Sequence, residues 1–190
     1  MQNENIEKEI CIAFVGSSKV GKTSIFDRFC GEKFEKDKKE TQAVKMVEII
    51  KPFPYKDKNY KITIIDTPGS DEENDKYKYP SLEYCKLAQG VFLTFDLTNQ
   101  NSLNGINFWI NKIPEYNSKS KLIILGNKCD AKEIMSKDFI KNKLQEYGAN
   151  NIKYLVTSAK KGKNFEQAFK TMIDLIEGNA DKCCKCCPCW

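Results

Sequence analysis

Histidine is absent from this 190-residue chain, and arginine occurs once, at Arg28, among 31 basic residues. The first absence removes every histidine-based nucleophile triad and the usual ligand sets of catalytic zinc. No apolar run approaches the roughly 20 residues of a membrane-spanning helix. Met1-Gln2-Asn3-Glu4 is too polar to open a signal peptide, so the body is expected to be cytosolic. Glycine does not follow Met1, which excludes N-myristoylation of the sequence as it stands. The 31 basic and 26 acidic residues, net +5, are dispersed along the chain. With no basic block to track a phosphate backbone, they read as a solvated lysine-rich surface, and no nucleic-acid partner is expected.

Short apolar runs alternate with amphipathic segments. The pattern predicts strands at 10–15, 43–50, 60–65, 90–95, 121–126 and 153–156, and helices at 22–31, 81–88, 101–112, 136–147 and 164–177. Val91-Phe92-Leu93-Thr94-Phe95 and Leu122-Ile123-Ile124-Leu125 are apolar at nearly every position, so both faces of those strands should be covered. The expectation is one α/β domain with a six-stranded, mostly parallel sheet and helices on both faces. Lys51 to Asn59 is too short for a crossover helix, which makes 43–50 and 60–65 an antiparallel hairpin at one sheet edge. The aperiodic segments 32–42 and 66–80 read as exposed loops. Residues 1–9 are an N-terminal extension, 10–177 the domain, and 178–190 a flexible cysteine-rich tail.

Gly16-Ser17-Ser18-Lys19-Val20-Gly21-Lys22-Thr23 fits the phosphate-loop pattern G-x-x-x-x-G-K-[ST] and follows the apolar run Ile10 to Val15. In that setting successive backbone N–H groups and a helix N-terminus converge on one anionic ligand. Lys22 would reach the β- and γ-phosphates, and the Thr23 hydroxyl would ligate Mg²⁺. Gly16, Ser18, Lys19, Val20, Gly21, Lys22, Thr23 and Ser24 are therefore nucleotide-binding candidates. Asp66-Thr67-Pro68-Gly69 ends another strand, with Asp66 placed to hold Mg²⁺ through water and the Gly69 N–H free to approach a γ-phosphate. Asn127-Lys128-Cys129-Asp130 closes a third strand and makes Asn127, Lys128 and Asp130 nucleotide-binding candidates. There the Asp130 carboxylate can accept from guanine N1–H and the exocyclic amine, a pairing that adenine cannot offer. Ser158-Ala159-Lys160, after the sixth strand, can supply a backbone N–H to the guanine oxygen, so Ser158, Ala159 and Lys160 are nucleotide-binding candidates as well.

With these motifs in order and at strand ends, the chain resembles the Ras-like small GTPases, most nearly the Rab type, from about residue 10 to 177. Asp96-Leu97-Thr98-Asn99, Ser102 and Trp109 add to the likeness. The resemblance implies the P-loop small-GTPase fold, GTP and GDP with Mg²⁺ as cofactors, and hydrolysis of GTP by a monomeric switch in vesicle-mediated or intracellular protein transport. It implies Thr41, eighteen residues after Thr23, as a second Mg²⁺ and γ-phosphate ligand, and Phe34 as the aromatic that packs on guanine. Exchange factors, GTPase-activating proteins and effectors on the two switch loops are the implied partners.

Three departures bear on mechanism. Ser70 stands where the family usually has the glutamine that orients the attacking water, so intrinsic hydrolysis is expected to be slow, and a non-hydrolysing guanine-nucleotide scaffold is the alternative. The catalytic candidates are Lys22, Thr41, Gly69 and Ser70. Arg28 lies in the first helix, away from the position of an arginine finger, so a partner would supply that arginine in trans. Thr41 to Met46 lacks the family's usual glycine and aromatic, and the second switch segment is about four residues longer than typical. A P-loop kinase is disfavoured because N-K-x-D explains a guanine base.

Of nine cysteines, Cys11, Cys30, Cys85 and Cys129 are scattered and read as reduced, packed thiols. Cys183, Cys184, Cys186, Cys187 and Cys189 crowd the last eight residues without histidine, which does not fit the spaced pairs of a zinc module. They are lipidation candidates, similar to the acylated or prenylated tails of Rab-type proteins. Such a tail would place the protein on the cytosolic face of an internal or plasma membrane.

Overall fold

The computed structural model describes residues 6, 8–36, 38–39, 41–56, 58–70, 77–132 and 134–179. The cysteine tail from 180 onward, residues 1–5 and the acidic stretch 71–76 lie outside the described residues.

Six strands form one sheet: β1 (Lys8–Val15), β2 (Lys45–Tyr55), β3 (Lys58–Asp66), β4 (Gly90–Asp96), β5 (Lys121–Asn127) and β6 (Lys153–Val156), in the order β2-β3-β1-β4-β5-β6. All neighbours are parallel except the edge pair β2 and β3. The helices are α1 (Lys22–Phe29), α2 (Lys78–Cys85), α3 (Gln100–Asn104), α4 (Ile106–Tyr116), α5 (Lys137–Glu146) and α6 (Phe165–Ile176).

Strand alternation divides the core into two apolar layers. On one face Ala13, Val15, Val91, Leu93 and Ile124 meet Leu82 of α2, Leu103 of α3, Trp109 and Ile113 of α4, and Ile140 and Leu144 of α5. On the other, Ile12, Phe14, Phe92, Ile123 and Leu125 meet Ile25 and Phe26 of α1 and Phe169, Met172 and Ile173 of α6. Every residue of β4 is buried, as its unbroken apolar run requires. This is the α/β fold with helices on both faces that the sequence predicts.

Three local expectations need correction. The hairpin is tighter than a nine-residue loop, because β2 runs to Tyr55, β3 starts at Lys58, and Lys56 turns with φ 50°. Pro52 and Pro54 suggest a loop, but an edge strand tolerates proline, and the register shift between Ile49 and Phe53 absorbs the irregularity. The helix expected over 101–112 divides at Gly105, where a β-carbon would lie 3.1 Å from Ser17 Oγ of the phosphate loop. The segment 66–80 is not uniformly exposed: Asp66, Thr67, Pro68 and Ser70 are buried, and α2 begins at Lys78.

Candidate functional site

The carboxyl ends of β1, β3, β4, β5 and β6 rise into loops on one side of the sheet, the usual location of a ligand crevice in a doubly wound fold. They enclose a cavity of about 550 Å³. Fourteen of the sequence-predicted nucleotide residues line it: Ser18, Lys19, Gly21, Lys22, Thr23, Ser24, Phe34, Thr41, Gly69, Asn127, Lys128, Asp130, Ala159 and Lys160. Gly16, Val20 and Ser158 are buried behind that wall. Seven lysines and two carboxylates, Glu35 and Asp130, face the space, a balance suited to a polyanion.

The phosphate loop leaves β1 through backbone that side chains resist. Gly16 has φ 140°, and a β-carbon there would sit 2.1 Å from the Thr94 carbonyl oxygen. Gly21, at φ 96°, precedes α1, whose first turn receives no side-chain cap, so its N–H groups remain available at the cavity. Lys22 is buried and curls inside the loop, donating from Nζ to the carbonyls of Gly16 and Ser17 at 2.9 Å each.

In the first turn of α1 lies a compact polar corner. Thr23 Oγ1 donates to Asp66 Oδ2 at 2.6 Å and shares a 2.6 Å hydrogen bond with Thr41 Oγ1. Asp66 is fully buried, its Oδ1 has no hydrogen-bond partner, and burial pushes its carboxyl above the usual carboxylate range despite the bond from Thr23. A buried carboxylate oxygen without a partner, beside two hydroxyls, fits a small hard cation. Among the described residues no cluster of three histidine, cysteine or acidic side chains exists. Such a cation would therefore take its remaining ligands from water and phosphate, as Mg²⁺ does.

The opposite wall belongs to Asn127. Its Nδ2 donates to the Val20 carbonyl at 2.8 Å, while Oδ1 accepts from Ala159 N–H at 3.2 Å and from Thr157 Oγ1 at 3.4 Å. Asn127 is 1 % exposed, and both ends of its amide are occupied in joining the phosphate loop, β5 and the loop after β6. Asn127 lines the cavity, and its side chain positions the walls. The Ala159 N–H, expected to meet a guanine oxygen, points to Asn127 here. Asp130 stands exposed at the mouth, held by a hydrogen bond from Ser158 Oγ to its Oδ1. Lys128 takes φ 65° and pairs with Asp96 Oδ2 at 2.6 Å; Asp96 Oδ1 accepts from both N–H and Oγ1 of Thr98.

Ser70 does not line the cavity. Its N–H donates to the Gly16 carbonyl at 3.4 Å, and its hydroxyl is buried without a partner. Gly69 does face the cavity, packed so closely on the phosphate loop that a β-carbon would come within 2.3 Å of Ser18 Cα. Arg28 is also remote: Nη1 donates to the Glu32 carbonyl at 3.2 Å, and Nη2 lies against Gly162. Phe34 lines the cavity and leans on the layer that contains Phe26.

Sequence reasoning missed several lining residues: Glu35, Lys36, Lys38, Lys39, Thr67 and Ala131. Their position between or beside named motif residues was the available signal. It also missed the ion pair between Lys38 Nζ and Asp27 Oδ2, which binds the loop after α1 to the helix itself. Burial alone would depress the Lys38 ammonium, but the bond and charge of Asp27 outweigh it and its pKa is raised. Cys11, Cys30, Cys85 and Cys129 are free thiols. Burial raises the pKa of each, that of Cys85 to about 12. No helix among the described residues is long and apolar enough to cross a membrane.

The Ras family profile matches residues 11–178. The chain is 33 % identical over 174 residues to the Ras-related protein Rab-8A of Bos taurus, covering 90 % of this chain and 80 % of that one. It is 30 % identical over 169 residues to the GTP-binding protein YPT1 of Saccharomyces cerevisiae, covering 87 % and 78 %. With the Ras-related protein Rab-3 of Caenorhabditis elegans it shares 27 % over 177 residues, covering 92 % and 77 %.

Proposed function

This chain belongs to the Ras family as a Rab-like small GTPase of vesicle traffic, and on that premise we propose how its own residues bind and turn over the nucleotide. The carrying observation is the one cavity in which the phosphate loop, the Thr23–Thr41–Asp66 corner and Asp130 come together. Lys22 and the loop amides hold the phosphates. Thr23, Thr41 and Asp66 hold Mg²⁺, which when bound neutralises phosphate charge. Asp130 selects guanine by its two acceptor oxygens, with Phe34 covering the ring and Ala159 in the wall beside them. Asn127 keeps these groups in register.

Thr41 and Gly69 sit at the roots of the two switch segments. Contacts with a γ-phosphate order both, and its loss releases them to exchange factors and effectors. The body over 10–177 acts as a monomer. The tail from 178 carries lipid on some of Cys183, Cys184, Cys186, Cys187 and Cys189 and tethers the body to a cytosolic membrane face.

Hydrolysis is slow because the residue after Gly69 brings no carboxamide to the cavity. The Ser70 hydroxyl faces buried surroundings, and Arg28 is committed to Glu32. A partner supplies the missing arginine in trans. Single-turnover phosphate release from GTP tests this reading. Ser70→Gln is expected to accelerate the wild-type rate about tenfold, one step of transition-state stabilisation near 1.4 kcal/mol. A wild-type rate already equal to that of Ser70→Gln contradicts it.

A further inference from the structure

We propose that Asp27 and Lys38 form a latch that holds the loop between α1 and β2 closed over the nucleotide and sets its residence time. The proposal rests on the nucleotide reading above and adds a positioning pair to it. Thr23 and Asp27 are four residues apart on α1 and so lie on one helix face, one turn above the other. The returning loop bonds to them in reverse order: Lys38 Nζ to Asp27 Oδ2, then Thr41 Oγ1 to Thr23 Oγ1. The loop is thereby zipped along the helix, with Phe34 on the near side of the latch and Thr41 on the far side.

Phe34 and Thr41 both line the cavity beside the nucleotide, whereas the latch is an ion pair between two protein charges. The Asp27 side chain is 9 % exposed and that of Lys38 27 %, so the pair is screened by solvent far less than a surface pair. Lys38 also lines the cavity wall, so the loop cannot swing out to release a nucleotide without parting the two charges. Removing Lys38 leaves a buried carboxylate uncompensated in the closed loop, and solvation of that carboxylate then favours the open one.

The test is the dissociation rate of a fluorescent GDP analogue from the full chain in excess Mg²⁺, with GDP and ATP affinities measured alongside. Lys38→Met is expected to release GDP about tenfold faster, as a local opening that has lost one specific tie would. Lys38→Arg restores the slow rate, and Lys33→Met, an exposed lysine of the same loop outside the cavity, leaves it unchanged. Asp27→Asn speeds release as well, and the double variant Asp27→Asn with Lys38→Met is no faster than the faster single variant. If Asp27→Asn fails to fold, Lys38→Met, Lys38→Arg and Lys33→Met still decide the question. A Lys38→Met rate within twofold of wild type overturns the latch, as does an equal acceleration in Lys33→Met. Wild-type protein that binds ATP as tightly as GDP overturns the nucleotide reading and the latch with it. Retained GDP preference with unchanged release overturns the latch alone.

Discussion

The two ends of the sheet treat their polar groups in opposite ways. At the carboxyl ends of the strands, Gly16 and Gly21 adopt left-handed backbone and Lys19 and Lys128 do so without being glycine. There Asp66 Oδ1, Ser70 Oγ and Thr94 Oγ1 are buried without partners. At the other end, the β2–β3 turn closes onto α6 through groups that satisfy one another. Tyr55 OH donates to Asp174 Oδ2 at 2.9 Å, Lys56 pairs with Asp174 Oδ1 at 2.6 Å, and Lys8 and Lys58 reach Glu177 at 2.6 and 3.5 Å. The carboxyl groups respond accordingly: burial raises the pKa of Asp66, while the bond and charge from Lys8, with help from Lys58, lower that of Glu177. Unpaired buried polar atoms cost stability, and these three lie at the end where a ligand binds, whereas the left-handed Lys56 at the other end sits in a turn whose side chains are paired. The paired end ties the hairpin and β1 to α6.

The largest effect is expected where the strained end is made ordinary. Gly16→Ala drives a β-carbon into the Thr94 carbonyl and should cost about 3 kcal/mol in chemical denaturation while abolishing GDP binding. Asn127→Ala comes next. It strips the partners from Val20 O and Ala159 N–H, so about 2 kcal/mol of stability is lost and GDP affinity falls with it. At the paired end Asp174→Asn should cost about 1 kcal/mol and leave GDP affinity within about twofold, which separates the two ends by their readout.

The smallest effect is a pH dependence. Because the folded-state pKa of Glu177 is lowered, its contribution is present above the unfolded value of about 4.3 and is lost as pH falls through its lower folded value. The stability gap between wild type and Glu177→Gln should therefore close in acid, and a gap that widens there would contradict the pairing.

The strand-end motifs were legible because backbone requirements tie particular residue types to particular places. A glycine must stand where Gly16 meets Thr94, and a lysine must follow Gly21 to enter the loop. The apolar runs were equally legible, since each alternates between the two core layers. Side-chain direction was not. Spacing cannot say that Asn127 uses its whole amide to join the phosphate loop to the loop after β6, or that the Ser70 hydroxyl turns away from the cavity. Nor can it pair Asp27 with Lys38, because that contact depends on the path of an aperiodic loop. The hairpin was read too loose because Pro52 and Pro54 resemble loop residues until the strand is known to lie at an edge.

The central claim is that the strained end is built for a guanine nucleotide with Mg²⁺. Titration calorimetry of nucleotide-free protein with GDP, GTP and ATP, each with Mg²⁺ and with chelator, tests it most directly. The account predicts tight binding of GDP and GTP that weakens when Mg²⁺ is removed, and ATP binding at least about a hundredfold weaker, the penalty for leaving Asp130 unpaired. Equal affinity for ATP, or GTP binding indifferent to Mg²⁺, would contradict it.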